Sequence, residues 1–179
     1  MIKARKELEQ GQEVIRKTEE KRKEFEEKVE GLNFEKVFLT GCGSSYKISM
    51  MVASEMKSSG LEAEALEASE IIFSSQSIDG DSLLIGFSQS GETSETAKAL
   101  EKANELGAET LGVLNSKGST IEDIADETFF TPAGKEEAVL ATKSVDSALR
   151  AGLILKDVFT GEETENIDLD ESLETDIAE

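Results

Sequence analysis

Apolar and polar positions divide the chain into a sparse lead, an alternating middle and a polar end. In residues 1–30, Leu8, Val14, Ile15, Phe25 and Val29 are scattered among Glu, Lys and Arg. That spacing predicts one or two surface helices docked by a thin apolar stripe. Glu19–Lys23 and Glu24–Lys28 offer i,i+4 support, and Gly31 supplies a stop. Lys36–Thr40 is a short apolar run that leads into Gly41-Cys-Gly-Ser-Ser45, and a helical stretch follows to Ser59-Gly60. Glu62–Leu66 reads as a poorer strand and Ser69–Ser74 as a short helix. Ser82–Phe87 is the clearest buried strand. It ends in Ser88-Gln-Ser-Gly-Glu-Thr93, ahead of a helix over 93–106 that Gly107 caps. Glu109–Leu114 and Glu127–Phe130 are further strands around a short helix at 119–124, and a long helix is predicted from about Glu137 to Phe159.

Strand runs separated by crossover helices predict an α/β fold, a parallel sheet with helices on both faces. Right-handed crossovers gather the strand carboxyl ends on one edge, where ligands bind in such folds, and both Ser/Gly-rich loops fall there. The expected organisation is a helical segment over 1–30, a ligand-binding domain over 31–160 and an acidic tail or interdomain linker over 161–179.

Charge narrows the partners. Acidic residues outnumber basic ones 39 to 19, a net charge of −20, which argues against nucleic acid and anionic membrane surfaces. Residues 1–30 hold nine charges of each sign, whereas 157–179 hold ten acids and no base. The acidity suits adaptation to high salt and ordinary exposed helices equally. A single cysteine leaves no internal disulfide, and without histidine it argues against a zinc site, so neither metal nor cofactor is expected. No apolar run approaches the roughly 20 residues that span a bilayer, and the N-terminus lacks a signal-peptide core. A soluble, cytoplasmic protein is expected.

Three segments carry candidate chemistry. Ser88-Gln-Ser-Gly-Glu-Thr93 sets three hydroxyls, a side-chain amide and a flexible glycine at a strand-to-helix junction. It reads either as an ordinary N-cap with turn residues or as a nest for a dianionic phosphate. No lysine or arginine lies in it, so a phosphate there would be held by hydrogen bonds. Gly41-Cys-Gly-Ser-Ser45 repeats the chemistry after the first strand, without the third glycine of a dinucleotide fingerprint or the ending of a Walker motif. Cys42 reads as a small packed residue, since no histidine exists to activate it. In Glu136-Glu137-Ala-Val-Leu-Ala-Thr-Lys143, the glutamates either complement a helix dipole or supply a base with Lys143 as partner.

Together these segments resemble the sugar isomerase (SIS) domain family, and within it the isomerase half of glucosamine-6-phosphate synthase and related deaminase/isomerases. The matching strings are Cys42-Gly-Ser-Ser-Tyr46, Ser88-Gln-Ser-Gly-Glu-Thr93 and Val139-Leu-Ala-Thr-Lys143, and Glu9–Ile15 with Thr18 looks like the family's leading helix. The resemblance implies a five-stranded parallel sheet in a three-layer α/β/α sandwich of flavodoxin-like topology. It places Ser88, Gln89, Ser90, Thr93, Ser44 and Ser45 at a sugar phosphate, with Gly43 and the backbone of Val139 at the sugar. Ala141 stands where a serine reaches the sugar in the synthase.

In the synthase-like members two such domains lie in tandem. The second domain, a neighbouring subunit and a C-terminal tail supply the glutamate, histidine and lysine of the chemistry. This sequence has no histidine, which leaves Glu136, Glu137 and Lys143 as its candidate catalytic residues. The expected ligand is fructose 6-phosphate or glucosamine 6-phosphate, bound by the first half of a tandem isomerase or aminotransferase-type protein. The alternatives are a self-contained aldose–ketose isomerase and a non-catalytic phosphosugar sensor. A homo-oligomer sealed by the Ala/Leu-rich stretch Ala148–Leu155, or pairing with a second SIS domain, is expected too.

Overall fold

The computed structural model describes residues 2–74, 77–134 and 143–162, with side chains from Gln10 onward. Two helices lead the chain, α1 (Ile2–Glu19) and α2 (Arg22–Val29). The alternation then runs β1 (Lys36–Gly41), α3 (Ser44–Ser58), β2 (Glu62–Ala65), α4 (Ala68–Ser74), β3 (Ser82–Ser88) and α5 (Ser94–Glu105). It continues through β4 (Glu109–Leu114), α6 (Thr120–Ile124) and β5 (Glu127–Phe130) to α7 (Lys143–Thr160). The first six residues of the predicted last helix, with Glu137, Val139 and Ala141, and Glu136 before them, lie outside the described residues.

All strand pairings are parallel, in the order β2-β1-β3-β4-β5. The strands alternate their side chains between two apolar layers. Val37, Leu39, Leu83, Ile85 and Phe87 pack beneath α2, α3 and α7, whereas Phe38 and Leu84 pack beneath α4, α5 and α6. Chain direction across the sheet reverses at β1, which is flanked by β2 on one side and β3 on the other. This is the switch point where open α/β sheets part to form a crevice. Among the described residues no helix is long and apolar enough to cross a membrane.

The leading helices are held by more than a stripe. Phe25 is fully buried and stacks on Phe129 of β5. Thr18 shares a 2.7 Å hydrogen bond with Ser147 of α7. The predicted i,i+4 pairs give way to contacts between elements: Glu19 pairs with Arg22 and Arg150, Arg22 reaches Asp157 of α7 at 3.0 Å, and Lys28 reaches Glu127 of β5 at 3.1 Å. A carboxylate meeting a fixed guanidinium gains more than one meeting a solvated lysine on its own helix.

Part of the stretch Ala148–Leu155, expected to join copies, enters the chain's own core. Ala151, Ile154 and Leu155 are fully buried there. Gly152, in mid-helix, costs about 1 kcal/mol of helix propensity against alanine. Packing explains it: a methyl group at this position would collide with Val52 Cγ2 and lie 3.3 Å from Phe87 Cζ. Gly152→Ala is therefore expected to destabilise by about 1–3 kcal/mol, overpacking outweighing propensity. Chemical denaturation checks it, and Val52→Ala in the same chain should recover part of the loss.

Candidate functional site

Each strand of the central pair delivers the chain to a helix N-terminus at the same edge. β1 ends at Gly41, paired with Phe87 of β3, and α3 begins three residues later. β3 runs one residue further than its apolar run suggests, so Ser88 is its last residue. Ser44, Ser45, Ser88 and Gln89 line one crevice between these ends, with Ile48 and Ala148 as apolar walls.

Glycines permit this geometry. A Cβ at Gly41 would lie 2.8 Å from Ser45 Cβ and 3.0 Å from Phe87 O. Gly91 has φ +72, and a Cβ there would overlap the Ser119 hydroxyl. Gly43, the N-cap of α3, has φ +60. At these positive angles a side chain would be strained.

Neither helix spends a side chain on its own cap. Thr93 is the N-cap of α5 and Gly43 that of α3, and neither makes a side-chain cap bond. In α5 the Ala97 N–H is the one that reaches Thr93 O, at 3.0 Å. The ordinary-cap reading of Ser88–Thr93 thus has no bond behind it. The hydroxyls instead organise the loop. Ser88 Oγ accepts the Gly91 N–H at 3.0 Å and lies 3.1 Å from Thr93 Oγ1. Ser90 Oγ accepts the Glu92 N–H at 3.1 Å, so its own hydrogen is left to donate. Ser90 and Thr93 flank the crevice rather than line it.

Two carboxylates near α5 are bonded locally. Glu92 sits below its usual carboxylate range because the Thr120 hydroxyl, and then the Thr120 N–H, donate to it. Glu95 is lowered by its own N–H and then by the Ser94 hydroxyl. Cys42 departs from expectation, for it is exposed in the turn after β1 with Sγ 3.8 Å from Thr96 Oγ1. The turn is bracketed by Gly41 and Gly43 and leaves the cysteine exposed among the described residues.

Lys143 opens the described part of α7. Its neighbours Ser144 and Val145 line the crevice, and Lys143 is not among the lining residues. Asn115 and Thr131 line it as well, and the sequence reading passed over them. Asn115 follows β4 directly, donates to Gly134 O at 2.8 Å, and meets the Thr131 hydroxyl at 3.3 Å. Their position after strand ends was the available signal.

Comparison with known proteins fits this geometry. The SIS domain family profile matches residues 33–155. Glutamine–fructose-6-phosphate aminotransferase (isomerizing) of Fusobacterium nucleatum is 36% identical over 152 residues, which are 79% of this chain and 25% of that protein. This chain spans about a quarter of the length of the curated relatives it matches. The C-terminal domain of glucosamine-fructose-6-phosphate aminotransferase from Francisella tularensis superposes with a TM-score of 0.73 at 24% identity, over 96% of this chain and half of that one. The Vibrio vulnificus NanR protein complexed with ManNAc-6P superposes at 0.70 with 16% identity, over 98% of this chain and 67% of that one. By sequence profile, by identity to curated relatives and by fold, the chain belongs to the SIS domain family.

Proposed function

We propose that the domain binds a sugar phosphate with its phosphate at the N-terminus of α5, as one half of a tandem isomerase or aminotransferase-type protein acting on fructose 6-phosphate and glucosamine 6-phosphate. The observation that carries this reading is the pair of helix N-termini, both without side-chain caps, opening on one serine-lined crevice. Each helix end carries about half a positive charge and first-turn N–H groups without an intrahelical partner, of which Glu95 N–H meets its own carboxylate and Ser45 N–H meets Cys42 O. Hydroxyls of Ser88, Ser90 and Thr93 and the amide of Gln89 would complete the cradle, with Ser44 and Ser45 opposite and Gly43 and Val139 at the sugar. The low coverage of the curated relatives supports the tandem setting, with 161–179 as the connection onward.

In this reading the domain associates with a second SIS domain or a second copy. Met50 and Met51, 52% and 54% exposed on α3, and Phe73, 87% exposed on α4, are the large apolar side chains left in solvent among the described residues.

Removing a donating hydroxyl leaves a phosphate oxygen short of a partner, at a cost of about 1–3 kcal/mol. Calorimetric titration of fructose 6-phosphate should therefore show roughly ten- to hundredfold weaker binding in Ser90→Ala and Thr93→Val. Fructose alone should not bind. Affinity retained in both variants would return the loop to a purely structural role. A phosphate loop over 88–93 without Lys or Arg, on a chain of net charge −20, should also hold or improve its affinity as sodium chloride rises, because salt screens repulsion rather than attraction.

Turnover is a separate expectation. Opening a sugar ring is served by a group titrating near neutrality, and the 179 residues include no histidine. The chain by itself should bind fructose 6-phosphate without exchanging solvent deuterium into C1 or C2. Rapid exchange that disappears in Glu137→Gln would favour a self-contained isomerase using Glu136, Glu137 or Lys143.

A further inference from the structure

The loop that offers its hydroxyls to a phosphate also contains a carboxylate, Glu92, one residue before the N-cap of α5. A negative charge there is a competitor, since a helix N-terminus attracts carboxylates as it attracts phosphates. Its placement removes the competition. Glu92 Oε1 accepts the Thr120 N–H at 3.0 Å and Oε2 accepts the Thr120 hydroxyl at 2.7 Å, so both oxygens are turned onto α6.

A second observation fits the first. Ser119 is the N-cap of α6, yet its side chain makes no cap bond. Its Oγ is buried against Gly91 and has no hydrogen-bond partner among the described residues. The capping of α6 has passed from its own serine to a glutamate of the neighbouring loop. Backbone bonds fix the same two loops together, from Ile121 N–H to Gly91 O at 3.0 Å and from Asn115 N–H to Gln89 O at 3.2 Å.

We propose that Thr120 is a positioning residue for anion binding. By holding Glu92 on α6 it keeps the carboxylate of the phosphate loop itself off the α5 N-terminus, where Glu95 in the first turn is already bonded to its own N–H and to Ser94. The inference rests on the phosphosugar reading. Its sign distinguishes it from a structural clamp, because removing the clasp releases a charge, and removing that charge restores binding.

Thr120→Pro is the direct probe. Thr120 is the first residue of α6, where proline is well tolerated, and Ser119 before it is extended, with φ −115 and ψ 159. The change deletes the N–H and the hydroxyl together. Fructose 6-phosphate should bind roughly fivefold more weakly, the effect of a unit charge at close range in water. Glu92→Gln alone should bind like wild type, and Glu92→Gln with Thr120→Pro should regain most of the lost affinity. The deficit of Thr120→Pro should shrink as sodium chloride is added. Thr120→Val, which loses only the hydroxyl, should show the same pattern more weakly and serves if the proline variant does not fold. Unaltered affinity in folded Thr120 variants, or a double variant no tighter than Thr120→Pro, would overturn the proposal. A folded wild type that fails to bind fructose 6-phosphate would remove the phosphosugar reading first, and this inference with it.

Discussion

Parallel pairing of β1 with β3 is the constraint on which the rest of the molecule depends. It sets Gly41 beside Phe87, and so starts α3 and α5 from neighbouring strand ends. With any side chain at Gly41, Ser45 and the Phe87 carbonyl would have to move apart, and the crevice would lose the shape its hydroxyls need. Helices on both faces then follow from the direction of each crossover, and the two apolar layers from the alternation of side chains along each strand. The chemistry of the edge is thus a consequence of backbone arrangement before it is one of side chains.

That arrangement would let a strongly negative chain recognise an anion, as proposed. Long-range repulsion from exposed carboxylates is screened over about 10 Å at ordinary salt. The short-range field at a helix end is fixed by oriented N–H groups that need no reorganisation. The carboxylates closest to α5 are themselves accepting hydrogen bonds, Glu92 from Thr120 and Glu95 from Ser94.

Much of this was legible in the sequence. Short apolar runs marked β1, β3 and β4, with β2 the faintest strand, and Gly-rich or Ser-rich strings after Thr40 and Phe87 marked the edge that carries the crevice. Strand and helix bounds shifted by a residue or two where hydroxyl residues sit at junctions: Ser88 belongs to β3, and Thr93 and Ser119 are caps rather than helical residues. Side-chain partnership was harder to read. Local spacing offered Glu19 the lysine four positions on, but the chain breaks into two helices between them and folding offered it Arg150, 131 positions away, at 2.8 Å. Glu92 looked like part of a phosphate motif, and its partner lies 28 positions on, behind another strand. Asn115 and Thr131 are marked only by following strand ends, and it is the sheet order that brings β4 and β5 beside the crevice. Cys42 was misjudged for a similar reason, since burial depends on which layer covers a turn.

The outer strands of the sheet have a consequence beyond the site. β2 and β5 are four residues each, and their sequences, Glu-Ala-Glu-Ala and Glu-Thr-Phe-Phe, place glutamates along the two open borders. An incoming strand would find few unpaired backbone groups there and a repelling charge beside them. The wholly buried β3, whose Ser-Leu-Leu-Ile-Gly-Phe-Ser sequence could seed cross-β stacking, sits at the sheet's centre, two strands in from either border. Resistance to aggregation is therefore built into strand order, with the most adhesive segment kept farthest from the borders and the least adhesive ones left to face solvent.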